Sequence, residues 1–252
     1  MSISTVIITK NEALNIAKCI ESVLKFSDEI IVVDSYSTDN TKSIATSYDK
    51  LKFFERKFDN YIHQKNYANS LASSEFIFSI DADEWCSESM IKVLVDMKLS
   101  LSLPMGFKRI NIYKNKPIRF GLWKNDWKIR LWKKEIAQWG GATPHEHLIF
   151  LEDTEVSYFD SILYHNAYQS HSEFFSKSIQ YAKLAAIQIA EKKSFPQLIL
   201  SLFLNPIYKF IKGYFLRLGF LDGYYGLVIA TGNFVETFFK YYLAIHIKWN
   251  QQ

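Results

Sequence analysis

The sequence predicts an α/β fold, a mostly parallel mixed sheet flanked by helices and followed by a helical C-terminal extension. Three observations predict it. Over about the first 80 residues, four short β-rich runs alternate with stretches of helical spacing, the pattern of right-handed strand–helix–strand crossovers. The first, second and fourth runs end on Thr9, Asp34 and Asp81, polar groups at the carboxyl ends where such sheets bind ligands. Beyond residue 172, strand patterns give way to helical ones.

The elements follow in order. Residues 4–9 (STVIIT) form a β-branched run. Apolar residues at Ala13, Ile16, Ala17, Ile20, Val23 and Leu24 then have the spacing of an amphipathic helix that Asn11-Glu12 opens. Residues 29–34 (EIIVVD) make the second strand and stop at a polar turn, 35–41, rich in helix-capping residues. A helix, a strand at 51–54, a helix at 64–72 and a strand at 76–80 complete the alternation. From 105 to 165 the pattern is less regular, with strands expected at 106–113, 128–132 and 156–164 and loops between them. The domain boundary is expected between residues 190 and 191.

A chain of 252 residues with 48% hydrophobic residues can bury a full core. Cys19 and Cys86 show no zinc or disulfide spacing and are expected in helices as buried thiols of a reducing compartment. The N-terminus runs straight into an apolar strand without the pattern of a secretory signal, so a cytoplasmic location is expected. From residue 191 onward seven basic side chains face three acidic ones, so this segment carries the whole net charge of +4. The cations are interleaved with aliphatic runs, which argues against nucleic-acid binding.

Asp81, Asp83 and Glu84 gather three carboxylates directly after a hydrophobic strand. Crowded carboxylates repel one another and are best tolerated in water or around a cation. Mg²⁺ and Mn²⁺ suit such a sparse site, because substrate phosphates complete their coordination. A solvated acidic turn capping the next helix is the alternative. Asp34, at a neighbouring strand end, is placed to accept hydrogen bonds from a ribose or base, or to cap its own turn. Neither a Gly-rich dinucleotide loop nor a Walker sequence is present, so side chains and metal would have to hold a diphosphate.

Taken together, residues 5–12 (TVIITKNE), 31–41 (IVVDSYSTDNT) and 81–84 (DADE) resemble the family 2 glycosyltransferases with the GT-A fold. Gln64-Lys65-Asn66 and Pro144-His145-Glu146-His147 narrow the resemblance to the branch that adds glucose to the inner core of bacterial lipopolysaccharide or lipooligosaccharide. The resemblance implies an inverting, metal-dependent transfer of a hexose from a nucleotide-sugar donor such as UDP-glucose. It places Thr9, Asn11, Glu12, Asp34, Lys65 and Asp81 around the nucleotide, Asp83 on the metal and Glu146 as the base. His165, expected at the end of its strand, matches a family histidine that would complete the metal shell, and Arg130 would steady the diphosphate. His147 stands where an acidic residue often occurs in the family, so the choice of base stays open.

A lipid-linked glycan acceptor would be met at a membrane. In the C-terminal segment Ile207, Phe210, Ile211, Tyr214, Phe215 and Leu218 form one apolar stripe with Lys209, Lys212 and Arg217 beside it. Such a helix can lie on the cytoplasmic face of an inner membrane or pack against its own domain or a partner. The longest uncharged stretch, residues 194–208, contains two prolines and is too short to span a bilayer. A polyprenyl phosphate acceptor and a non-catalytic nucleotide-binding membrane scaffold are the competing expectations.

Overall fold

The computed structural model describes residues 2–98, 102–142 and 145–250. They divide into two compact units, Met1–Arg109 with Asn125–His165, and Ile110–Lys124 with Asn166–Gln252. The expected boundary at 190/191 falls within the second unit.

The chain opens with β1 (Ile3–Thr9), α1 (Ile16–Val23), β2 (Glu29–Asp34), α2 (Thr41–Ala45), β3 (Leu51–Glu55), α3 (Tyr61–Leu71) and β4 (Phe76–Asp81). A short β5 (Glu84–Cys86) and α4 (Glu88–Met97) follow, then β6 (Met105–Tyr113). After β7 (Lys116–Pro117) come β8 (Asp126–Lys133), β9 (Ala137–Ala142), β10 (His145–Phe150) and β11 (Ser157–Tyr168). The sheet runs β3-β2-β1-β4-β8-β6-β11-β5, with β3, β2, β1 and β4 mutually parallel and β8 antiparallel to β4. Every residue of β2 is buried, as in a central parallel strand covered on both faces.

Alternation along the strands sends Ile7, Ile30, Val32 and Phe78 into one apolar cluster with Ile16, Ile20 and Val23 of α1 and Met90 and Leu94 of α4. Val6, Ile31, Val33 and Ile77 point to the other face and pack with Ala68 of α3, Trp132 and Trp139. Each such aliphatic side chain stabilises the fold by about 1.5–3 kcal/mol. Asn60 and Ser87 cap α3 and α4 by accepting from the backbone N–H groups of His63 and Met90.

Three expectations are corrected. Cys86 lies in a strand, not a helix, because β5 pairs with β11; both cysteines are buried and free. β11 continues to Tyr168, so His165 sits inside the strand opposite Glu84 and not at its end. The aromatic, Gly-containing stretch around Glu146, expected as a loop, forms the two-stranded β9–β10 hairpin, in which Glu146 faces Gly141. At Gly140 a Cβ would meet the terminal methyl of the exposed Ile149 side chain. Pro144 lies outside the described residues.

The second unit is built on α5 (His171–Lys192), α6 (Phe195–Ile211) and α7 (Gly223–Trp249). Ala186, Ala190, Leu198, Tyr241 and Ala244 form one of its apolar clusters. Lys248 donates to the carbonyls of Ala190 and Lys193 at 2.9 Å each, satisfying the end of α5. A Cβ at Gly232 would lie 2.1 Å from the Phe174 ring, so α7 approaches α5 through a glycine there. The helix predicted to carry the stripe to Leu218 ends earlier. Residues Lys212–Leu216 form a π-helical turn, and Leu218 adopts φ 60°.

At the opposite, amino-terminal edge of the sheet, Glu29 is buried among Lys52, Ser4 and Ser73. Burial alone would raise its pKa, but the ion pair and hydrogen bonds outweigh it and hold the carboxyl down to about 2. A depressed carboxyl contributes stability above its unfolded pKa and loses it as pH falls toward the folded one. Acid unfolding should therefore steepen between roughly pH 4.5 and 2. Glu29→Gln should lower neutral-pH stability and flatten that limb, as followed by circular dichroism; an unchanged acid limb would exclude Glu29 as its source.

Candidate active site

Register brings the sequence-predicted residues together. Thr9 pairs with Asp34 across β1 and β2, and Ile8 pairs with Asp81 across β1 and β4, so three polar strand ends converge on one edge. The loops leaving β1 and β2 are laced to each other. The Asn11 amide nitrogen donates to Ser37 Oγ at 2.7 Å, and Asn11 Oδ1 accepts from the Thr38 N–H at 2.8 Å. The Glu12 N–H donates to Thr41 Oγ1 at 2.8 Å, and Asp39 accepts from the Ala13 N–H. Asn11 and Tyr36 both take left-handed backbone (φ 56° and 57°), a conformation that non-glycine residues hold only where surrounding contacts enforce it.

Asp34 is buried and accepts from both the N–H and the hydroxyl of Ser37, forming an Asx-type turn that fixes the loop. Asn11 and Glu12 likewise spend hydrogen bonds on loop structure; Glu12 also accepts from Asn15. Thr9 Oγ1 is different. It is buried with no hydrogen-bond partner among the described residues, an orphaned polar atom at a strand end that a bound ligand could satisfy.

Asp81 and Asp83 have separate surroundings. Lys65 Nζ lies 2.9 Å from Asp81 Oδ1 and Arg130 Nη2 3.2 Å from Oδ2. Burial would raise the Asp81 carboxyl, and the charges of Lys65, Arg130 and Arg109 outweigh it, holding the group well below the usual carboxylate range. Asp81 is therefore an ionised, already neutralised carboxylate. Asp83, two residues on, remains partly exposed with His165 Nε2 at 3.2 Å from its Oδ2. A carboxylate oxygen and an imidazole nitrogen at that separation fit a single Mg²⁺ or Mn²⁺ whose remaining positions are taken by diphosphate and water. Among the described residues no three His, Cys, Asp or Glu side chains are grouped as a complete metal cage.

Glu84 is fully buried beneath this site. Arg130 Nη2 reaches its carboxylate at 2.5 and 2.6 Å and Arg109 Nη1 at 3.1 Å; Arg109 in turn binds Asp126 at 2.7 Å. Arg130, expected on the diphosphate, is thus 2% exposed with its guanidinium committed to Glu84 and Asp81. Sequence reading grouped Glu84 with its neighbours as one acidic cluster and gave no role to Arg109 or Asp126. Arg109 sits on β6 and Asp126 and Arg130 on β8, and the antiparallel pairing of those strands sets Arg109 opposite Asp126.

Gln64-Lys65-Asn66 joins the parts. Gln64 donates to Ser35 Oγ and accepts from Arg56, Lys65 binds Asp81, and Asn66 makes two 2.9 Å hydrogen bonds with the backbone of Trp139 on β9. Trp139 lies under the Lys65 ammonium, 4.4 Å from ring centroid to Nζ. Three consecutive residues of α3 thereby tie the loop after β2, the Asp81 carboxylate and the hairpin that bears Glu146. Glu146 is half-buried, and its Oε2 has no hydrogen-bond partner among the described residues.

An open α/β sheet with polar residues at neighbouring strand ends, loops joined to each other beyond them and an Asp–His pair has the form of a ligand-binding enzyme site. The profile of the family described as Glycosyl transferase family 2 matches residues 4–146, and the chain belongs to that family. An uncharacterized glycosyltransferase of Rickettsia felis is 30% identical over 240 residues, covering 90% of this chain and 83% of that one. The lipopolysaccharide core biosynthesis glycosyltransferase LpsC of Rhizobium meliloti is 31% identical over 112 residues, 43% of this chain and 41% of that one. The crystal structure of S. aureus TarS 1-349 superposes with a TM-score of 0.50 at 16% identity, covering all of this chain and 92% of that one, a likeness of fold. The protein is a glycosyltransferase with a GT-A fold.

Breaking the buried pair should be costly. Arg130→Met leaves Glu84 charged in the interior and is expected to destabilise the protein by about 3–5 kcal/mol in denaturant titrations. Lys133→Met, which removes an exposed partner of Glu75, should cost about 1 kcal/mol or less. Equal effects from the two would contradict the network's structural role.

Proposed function

We propose that the protein is an inverting, metal-dependent hexosyltransferase that moves glucose from UDP-glucose onto an inner-core sugar of a lipopolysaccharide or lipooligosaccharide. The observation that carries the reading is the division of labour between neighbouring acids. Asp81 is neutralised by Lys65 and Arg130, while Asp83, of similar accessibility, lies beside His165. Asp83 and His165 would hold a divalent ion, which when bound neutralises charge on the departing diphosphate.

The chain's own residues perform the rest. Thr9, with its orphaned hydroxyl, and the clasped loops bearing Asn11, Glu12 and Asp34 would receive the nucleoside. Lys65 keeps Asp81 ionised at the floor of that pocket, where its outer oxygens can accept from a ribose hydroxyl. Glu146 would take the proton of the acceptor hydroxyl as its oxygen attacks the anomeric carbon from the face opposite the diphosphate. The bond from that carbon to the diphosphate oxygen breaks as the new glycosidic bond forms, and the electron pair leaves with UDP.

The partial match to LpsC and the resemblance of the Gln64–Asn66 and 144–147 segments support the core-oligosaccharide acceptor. Such an acceptor is lipid-linked, and the reading places the enzyme on the cytoplasmic face of an inner membrane as a peripheral protein. Among the described residues no helix is long and apolar enough to cross a membrane.

Asp83→Asn should reduce transfer from UDP-glucose to purified core acceptor by about a hundredfold or more while leaving the circular dichroism spectrum unchanged. A folded variant with undiminished transfer would rule out the metal assignment. Glu146→Gln should lower kcat with little change in donor KM and abolish the acid limb of the kcat–pH profile. If that limb persists, the base is another group.

A further inference from the structure

Charge separates between the two units more sharply than along the sequence. The first unit contains 17 basic and 22 acidic side chains, a net of −5, and the second contains 13 basic and 4 acidic, a net of +9. Residues 110–124 contribute Lys114, Lys116, Arg119 and Lys124 to that excess without a single acid. Three of the second unit's four acids are occupied. Glu173 binds Lys177, Glu236 binds Lys209, and Asp222 accepts from the backbone N–H groups of Arg119 and Phe120.

The same unit exposes a continuous apolar face. Leu200, Phe203, Leu204, Ile207, Ile211 and Phe215 recur at helical spacing along α6 and the turn after it, and all are exposed, Phe203 at 64%. The face differs from the sequence-derived stripe: Phe210 and Tyr214 turn partly inward, and the surface extends toward the start of α6. An open apolar groove of about 320 Å³, lined by Ile207, Phe210, Thr231 and Phe234, adjoins it through Ile207. Lys212 lies 5.5 Å from the Tyr208 ring, and Arg217 is exposed just beyond the face. The 17 residues of α6 reach only about 25 Å, short of the roughly 30 Å hydrocarbon core.

We infer that the α6 face of the second unit docks in the plane of an anionic bilayer surface, with its aliphatic and aromatic side chains at the acyl boundary and its cations among the headgroups. The inference rests on the lipid-linked acceptor proposed above for its setting, while the surface is identified by its own chemistry. A second copy of the chain is disfavoured as occupant because the face belongs to a unit of +9, and pairing two such units sets like charges together. Nucleic acid would match the charge but leave the leucine and isoleucine side chains uncovered. An anionic lipid surface satisfies both features at once.

Flotation of the full chain with vesicles tests this. The protein should bind phosphatidylcholine vesicles in which a third of the lipid is phosphatidylglycerol, and bind pure phosphatidylcholine far more weakly. Phe203→Ser with Ile207→Ser should lower partitioning by about tenfold or more. Lys212→Gln and Arg217→Gln should each lower it roughly fivefold. Melting temperature and transfer to a water-soluble core oligosaccharide should stay at wild-type values in all of them. Equal binding to neutral and anionic vesicles, undiminished binding by the folded Phe203/Ile207 double variant, or a dimer dissolved by that same change would overturn the inference. Anionic-vesicle binding that depends on the α6 face, in a protein that transfers to no core acceptor, would support this surface and refute the acceptor reading.

Discussion

The ion pair between Glu84 and Arg130 is the constraint on which the rest of the site depends. Neither side chain is accessible enough for water to stabilise its charge, so each must have the other, and Arg109 supplies the second cation that Glu84 requires. Because Arg130 also reaches Asp81, the buried pair extends to the floor of the site and, through Lys65, to α3. That chain of contacts gives the three acids different surroundings: Glu84 is a buried structural acid, Asp81 is neutralised by cations, and Asp83 lies beside His165.

A second set of hydrogen bonds fixes the loops beyond the strand ends. In place of a backbone nest, the strand ends present side chains whose orientations are fixed by hydrogen bonds between loops: Ser37 between Asp34 and Asn11, and Thr41 between Asp39 and Glu12. The left-handed backbone at Asn11 and Tyr36 is stabilised by these bonds. The strand-end surface is thereby preformed, with Thr9 Oγ1 the one strand-end hydroxyl without a hydrogen-bond partner among the described residues.

Much of the α/β half was legible in the sequence because its signals are local. The β-branched runs ending at Thr9, Asp34 and Asp81 and the spacing of Ile16, Ile20 and Val23 need no distant partner to be read. What escaped depends on long-range pairing. Glu84 was read with its sequence neighbours, yet its character is set by Arg109 and Arg130 on two other strands. Trp139 and Glu146 read as a loop because glycines interrupt the strand pattern, whereas β9 and β10 pair with each other through Gly140 and Gly141. His165 was expected at the end of its strand because the polar pair His165-Asn166 conceals the continuation of β11 to Tyr168. The charge excess was visible as a property of the C-terminal segment; its full size emerged only when residues 110–124 were found in the same unit.

Pulsed electron paramagnetic resonance of Mn²⁺ in the presence of UDP tests the central claim, that Asp83 and His165 together hold the ion that bears the diphosphate. The account predicts an imidazole nitrogen coupling to the UDP-bound Mn²⁺ in the wild-type protein that disappears in His165→Ala, and weakened Mn²⁺ binding in Asp83→Asn. A UDP-bound Mn²⁺ without nitrogen coupling, or binding of equal strength in the Asp83 variant, would contradict it.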